Sequence, residues 1–152
     1  MKKTIVIIVV LLLVGAGAKV YQSSHSSAPT DEQRMVSAVQ SVKAADADPT
    51  WPATPEAVVK DFWKAASKKD YARLTVLCPG SQVSDFKAHY DSMTPGEATA
   101  VGAPQQHPTD KTVTLYPVTV PFPHFPKKTI KMAVTKTDAG KYVIDARNTI
   151  WW

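Results

Sequence analysis

Three groupings of residues in this sequence are of types and spacings that could do chemistry. In the closing run GKYVIDARNTIWW, Asp145 and Arg147 lie two positions apart. A strand's period of two would set this acid and base on one face. Joined by a tyrosine such as Tyr116, such a pair could shuttle protons in a small lyase or isomerase. In SDFKAHY, Asp85 and His89 stand at i, i+4, where a carboxylate on a helix can orient an imidazole as a general base. Lys127, Lys128, Lys131 and Lys136 form a basic cluster that could bind an anionic surface. Each grouping also has a plain structural account, and that account is the expectation. Asp145 pairs with Arg147 or, across the sheet, with Lys131. Asp85 and His89 are an exposed helical pair. The lysines keep a sheet edge from pairing with another chain.

Other chemistries find less support. His25, His89, His107 and His124 share no metal-ligand spacing with one another or with a carboxylate on one element. No metal and no cofactor is expected. The sequence has no Gly-rich phosphate loop, no Gly-x-Ser-x-Gly elbow and no Cys/His nucleophile pattern. The single cysteine, Cys78, excludes an intramolecular disulfide, and its flanks in VLCPG suit a small buried hydrophobe.

The elements that must position these residues fall into two blocks. Thr30 and Gln33 form a capping box ahead of a helix over about 31–45, with Met35, Val39 and Val42 as its narrow apolar stripe. The proline-rich ADPTWPATP breaks the chain. Thr54-Pro55-Glu56 is a strong helix start, and Val58, Val59, Phe62, Trp63 and Ala66 give that helix a wide apolar face. Asp70 caps a short helix with Tyr71, Leu74 and Leu77 or Cys78 inward, and Pro79-Gly80 ends it. A third short helix of this block starts at Ser81, with Val83, Phe86 and Tyr90 in step. After Gly96 the period changes to two. EATAVGAP is a short strand, and KTVTLYPVTVPF sets Tyr116, Val118, Val120 and Phe122 on one face. Pro117 and Pro121 fall on the other face and mark an edge or a bend. HFPKK turns the chain, Ile130, Met132 and Val134 share the next inward face, and Asp138-Ala139-Gly140 leads into the last strand. Helices first and an antiparallel meander second define an α+β fold.

The chain opens with Lys2 and Lys3, an apolar run from Ile5 to Val14, and Ala16-Gly17-Ala18. This is the pattern of a secretory signal cut after Ala18. The alternative is an uncleaved anchor over residues 4–21 in the inner membrane. Both predict an exported chain, periplasmic or extracellular, that meets the membrane only through this segment. Export removes nucleic acid as a partner, although residues from Lys111 onward carry seven Lys and Arg against two Asp, a net +5. The expected divisions are 1–18 as signal or anchor, 19–53 as a polar tether plus one helix, and 54–152 as the α+β domain.

TPEAVVKDFWKAASKKDYARLTVLCPGS resembles the opening of the nuclear transport factor 2-like, ketosteroid-isomerase-like superfamily, and IKMAVTKTDAGKYVIDA resembles its closing strands. Within it the chain is most similar to small exported bacterial proteins. The resemblance implies a curved antiparallel sheet wrapped around the helices as a cone, with a pocket at its open end. It also implies a homodimer, or an envelope protein partner, through the sheet face. The expected function is a non-enzymatic exported module that binds a partner protein or a small apolar ligand. Trp151, Trp152, Lys128 and Lys131 are its candidate binding residues. The alternative is a small lyase or isomerase using Asp145 with Tyr116, Arg147 or His89.

Overall fold

A computed structural model describes residues 28–151, apart from the side chains of 125–127. The hydrophobic N-terminal segment, the Lys127 side chain and Trp152 lie outside the described residues. Among the described residues, four helices precede an antiparallel sheet, so the chain is α+β with its helices first. No helix there is long and apolar enough to cross a membrane.

Helix α1 (Asp31–Ala47) starts at the expected capping box. Gln33 N donates to Thr30 Oγ1 at 3.3 Å, and Thr30 N donates to Gln33 Oε1 at 2.9 Å. Its inward face differs from the expected stripe. Ser41 and Ala45 are buried, whereas Met35 and Val39 are 69% and 56% exposed. The rotation is set by Arg34, which donates to the two Asp85 carboxylate oxygens at 2.8 and 3.0 Å. Small residues below that fork let α1 lie close against the third helix, and the larger apolar residues turn outward.

Helix α2 (Pro55–Ser67) begins with Thr54 Oγ1 accepting from Ala57 N at 3.2 Å. Val58, Val59, Phe62, Trp63 and Ala66 are all fully buried, as the sequence predicts. Helix α3 (Tyr71–Leu77) is capped by Asp70, which accepts from Arg73 N at 3.0 Å. Helix α4 (Val83–Tyr90) starts two residues later than expected; Gln82 N donates to Asp85 Oδ2 at 2.9 Å. The linker before α2 is held by Trp51, whose Nε1 donates to the Tyr142 carbonyl at 2.8 Å while the Arg73 guanidinium lies 4.7 Å over its ring.

The sheet comprises β1 (Ala100–Val101), β2 (Gln105–Gln106), β3 (Thr114–Phe122), β4 (Phe125–Lys136) and β5 (Tyr142–Ile144). Its order is β1-β3-β4-β5, with β2 on the same edge of β3 as β1. β3 and β4 form its central hairpin, turning on Pro123 and His124 alone because Phe122 already pairs with Phe125. The expected longer HFPKK turn is therefore shortened, and all of it after His124 is strand. Pro117 and Pro121 sit on β3 with no N–H to give. Their carbonyls accept from Gly102 N at 2.7 Å and Gly96 N at 2.8 Å, so that edge is met only by short pieces of chain. Gly96 has to be glycine, since a Cβ there would come 2.5 Å from the Pro121 ring. Helix α2 touches β1, β3, β4 and β5. Against it lie Val118, Val120, Ile130 and Met132, all fully buried.

The last strand is shorter than expected. Asp145 N still donates to the Ala133 carbonyl at 2.9 Å, but the chain then leaves the sheet and returns at Ile150, opposite Lys131. Continuing from Val134↔Ile144, residue 147 would face Lys131; residue 150 does so, which leaves 150 − 147 = 3 residues looped out. Asp145 builds the loop. One carboxylate oxygen accepts from Arg147 N at 3.0 Å and Asn148 N at 3.3 Å, and the other from Asn148 Nδ2 at 2.8 Å. Thr149 closes it, with Oγ1 accepting from Ala133 N at 3.0 Å and donating to the Asp145 carbonyl at 2.8 Å. Thr149 thus supplies from a side chain the ladder bond that the loop removes. Replacing it by valine keeps the shape and leaves the buried Ala133 N–H unpaired, at a cost of about 1–3 kcal/mol. Thr149→Ser keeps the hydroxyl and should cost about 1 kcal/mol or less. Urea unfolding of both variants checks this, and equal losses would show that the hydroxyl does not close the loop.

Candidate functional site

Aromatic side chains from α2, α4, β3 and the C-terminal segment converge on Trp63. Phe62, Tyr90, Phe122 and Trp151 meet it edge to face, with centroids at 5.3, 6.4, 6.1 and 6.5 Å. These rings do not fill the space between them. One cavity of about 230 Å³ lies among Phe62, Cys78, Phe86 and Ala146. A second of about 240 Å³ lies among Trp63, Met93 and Phe122. His89, Tyr90 and Trp151 border both, so the two lobes adjoin along these three side chains. A third, of about 410 Å³, opens between α1 and the C-terminal loop, where Arg34, Met35 and Gly80 face Asp145 and Arg147. Arg34, Ser81 and Ala146 are shared by the first and third cavities.

The ionisable groups at these cavities are held in structural roles. The Asp85 carboxylate is bound by Arg34 and by Gln82 N, and the Arg34 hydrogen bonds hold it below the usual carboxylate range. His89 does not meet that carboxylate. Its Nδ1 lies 2.8 Å from the Asp85 backbone carbonyl, so Nδ1 carries the proton and Nε2 keeps its lone pair in the neutral ring. The alternative of an Asp85–His89 acid–base dyad is thereby not formed, and Asp85 pairs with Arg34 instead. Burial pushes the Cys78 thiol up to about 11, and its Sγ lies 3.3 Å from Ser81 Oγ. The thiol therefore stays protonated and unreactive at neutral pH, as the sequence suggests. Burial also pushes the Tyr90 phenol upward.

The remaining candidates are scattered. Asp145 and Arg147 share the third cavity but make no ion pair with each other; among the described residues the ion pairs are Arg34–Asp85, Arg73–Asp48 and Arg73–Asp61. The expectation that Asp145 and Arg147 share one strand face fails, because β5 stops at Ile144. Tyr116 lines a different cavity with Pro55, Lys136 and Tyr142, and its phenol is pushed up mainly by burial. Asp145 sits across from Ala133 and Tyr116 across from Met132, so the two are not brought together. Lys131 is exposed opposite Ile150, and Lys128 is half-buried opposite Val120. Lys136 lies 4.8 Å over the Tyr142 ring. Trp151 is half-buried on Trp63 and is the one expected binding residue placed at the aromatic cavities; Trp152 lies outside the described residues. No group of three His, Cys, Asp or Glu side chains that could hold a metal occurs among the described residues.

No protein-family model, no curated protein and no solved structure matches this chain.

Sequence reasoning marks Phe62, Trp63, Phe86 and Tyr90 as core without seeing that they leave space. It gives no sign of Arg34, whose partner lies 51 positions away. The Arg34–Asp85 pair has a testable pH signature. The folded-state pKa of Asp85 is lowered. Its contribution to stability is therefore present above the unfolded carboxylate value of about 3.9 and is lost as pH falls through the lower folded value. Both side chains keep about a third of their surface exposed, 32% and 28%. Solvent screening then limits the effect to about 1 kcal/mol or less. Denaturation of Asp85→Asn beside the unaltered chain should show that gap at pH 7 and its closure towards pH 2; a gap independent of pH would refute the assignment.

Proposed function

We propose that this chain is an exported, non-enzymatic binding module of the nuclear transport factor 2-like type, whose cavity takes a small apolar ligand. The observation that carries this reading is the pair of aromatic-lined lobes, one of them lined by Trp63, that share His89, Tyr90 and Trp151. In the cone-like arrangement, β3 and β4 curve around α2 and the lobes occupy the open end. Ligand sites of this kind are concave and mainly apolar, with few polar groups. Each lobe alone is small, and movement of the partly exposed Trp151 ring would join them.

Two other readings fit less well. Proton transfer by Asp145 needs a free carboxylate, and both of its oxygens are occupied in building the loop. A partner docked on the outer sheet face would meet Thr129, Lys131 and Thr135 wherever that face is exposed, which is not an apolar patch. The export signal remains a reading of the N-terminal sequence, and the basic surface a solvated one.

Titration of the full chain with N-phenyl-1-naphthylamine, an uncharged apolar fluorophore, tests the proposal. We expect saturable binding with quenching of tryptophan fluorescence. Trp151→Ala removes a ring wall common to both lobes and should weaken binding about tenfold or more. Binding that never saturates, or that Trp151→Ala leaves untouched, would place the probe elsewhere and remove the reading.

A further inference from the structure

Trp63 combines two features that a helix core normally avoids. Its ring is fully buried, and its Nε1 is the one buried side-chain nitrogen or oxygen among the described residues with no hydrogen-bond partner. Leaving a buried donor unmade costs about 1–3 kcal/mol. Nearly all buried polar groups in folded proteins find a partner, so a tryptophan in this position calls for a reason. The rings that meet it edge to face offer at best a weak N–H···π contact. A water there would need two to four polar partners, and besides Trp63 only Tyr90 and the exposed His89 offer any; the other walls of the adjoining lobe, Met93, Phe122 and Trp151, are aromatic or aliphatic.

The neighbouring polar groups point the same way. Tyr90 borders both lobes, and among the described residues its hydroxyl has no protein partner. Around the same lobes the charges are already matched. Arg34 is forked onto Asp85 by two bonds, and the Cys78 thiol faces Ser81. Trp63, Tyr90, Met93, Phe122 and Trp151 offer no charge to a ligand, and His89 at the rim is exposed. A charged ligand group would lose its water here without gaining a counter-charge. An apolar body with one hydrogen-bond acceptor would gain aromatic contact and satisfy the donor at once.

We propose, resting on the ligand-binding reading above, that the natural ligand is an uncharged apolar molecule carrying a hydrogen-bond acceptor such as a carbonyl or ether oxygen, and that this oxygen accepts from Trp63 Nε1. The indole nitrogen has no free surface in the structure, so a ring packed on Trp63 moves aside as the ligand enters, and Trp151, alone among them partly exposed, is the one placed to do so. Tyr90 is the second donor available to the same oxygen. Trp63 is then the residue that sets specificity, and Phe62, Phe86 and Phe122 supply undirected apolar contact.

The test uses two probes of similar shape, 2-acetylnaphthalene with one carbonyl and 2-isopropylnaphthalene with none, and 2-naphthoate as the charged counterpart. Each is titrated into the full chain labelled with ¹⁵N at its tryptophans, with the Trp63 indole resonance assigned by elimination from Trp51→Phe, Trp151→Phe and Trp152→Phe. The ketone should bind about five- to tenfold more tightly than the hydrocarbon, the factor expected for one net hydrogen bond. It should also move the Trp63 indole N–H resonance downfield, and the carboxylate should bind more weakly than either. Trp63→Phe should bind ketone and hydrocarbon equally. Should that variant fail to fold, the resonance shift in the unaltered chain decides alone. If both neutral probes bind equally and the Trp63 resonance does not move downfield with the ketone, the acceptor assignment is wrong while the apolar site stands. If neither neutral probe binds, both proposals fall.

Discussion

The arrangement of this chain depends on covering one face of α2. Val58, Val59, Phe62, Trp63 and Ala66 leave no surface to solvent, and each large side chain so buried contributes about 1.5–3 kcal/mol before entropy is charged against it. A face that wide cannot be closed by one neighbouring helix. It is met by four of the five strands on one side, and by α3 on the other. The short helices, the proline-bearing β3 and the linker held by Trp51 follow from that demand, since each brings a further apolar edge to the same helix. Trp63, the largest of the set, is touched by rings from three other elements besides its own.

The C-terminal loop leaves cavities beside this core. A strand continued straight past Ile144 would have carried Ala146 and Arg147 along β4 and set the final tryptophans three residues further on. By looping out three residues between Asp145 and Ile150, the chain gives up ladder bonds that Asp145 and Thr149 replace. The loop carries Ala146 to the wall of two cavities and lets Trp151 reach Trp63. The acid that looks most chemical in the sequence therefore acts on the backbone. Its spacing from Arg147 reflects an Asx-type turn, in which an aspartate accepts from N–H groups two and three residues on.

What was legible in the sequence was what local chemistry determines. Thr30, Thr54 and Asp70 cap the helices they precede, the buried set of α2 follows from its 3.6-residue period, and Ile130, Met132 and Val134 alternate inward as a strand must. The misreadings share a different cause. Met35 and Val39 look like a core stripe until Arg34 is seen to reach Asp85 across 51 residues and turn the helix. GKYVIDARNTI reads as one strand by period two, because the Thr149–Ala133 bond that permits the loop joins side chain to backbone over 16 residues. β2 and the tight Pro123-His124 hairpin depend on how β3 is paired. For the site, Trp151 and His89 could be named from sequence, but the space they border could not. Residue types predict which side chains are buried, and only their packing shows where they fail to meet.

Two departures from ordinary core design coincide at Trp63. Protein interiors are close-packed, and voids forfeit dispersion contacts along their walls; yet two lobes adjoin the same aromatic cluster. Buried donors are paired, yet the indole N–H is not. Either defect alone has a bland account, a loose rotamer in the first case and an edge-to-face ring in the second. The proposed ligand would account for both at once. Unfilled apolar space beside an unpaired donor is the negative image of an apolar group beside an acceptor. Departures from consistent packing and pairing are expected to gather at functional positions. The surrounding charges bear on the same point, because an Arg34 already forked onto Asp85 would not compete for such a ligand, and a thiol kept protonated would not react with it. A site of the proposed kind would select by shape and by one hydrogen bond, which is the form of selectivity that a cavity walled by aromatic rings can provide.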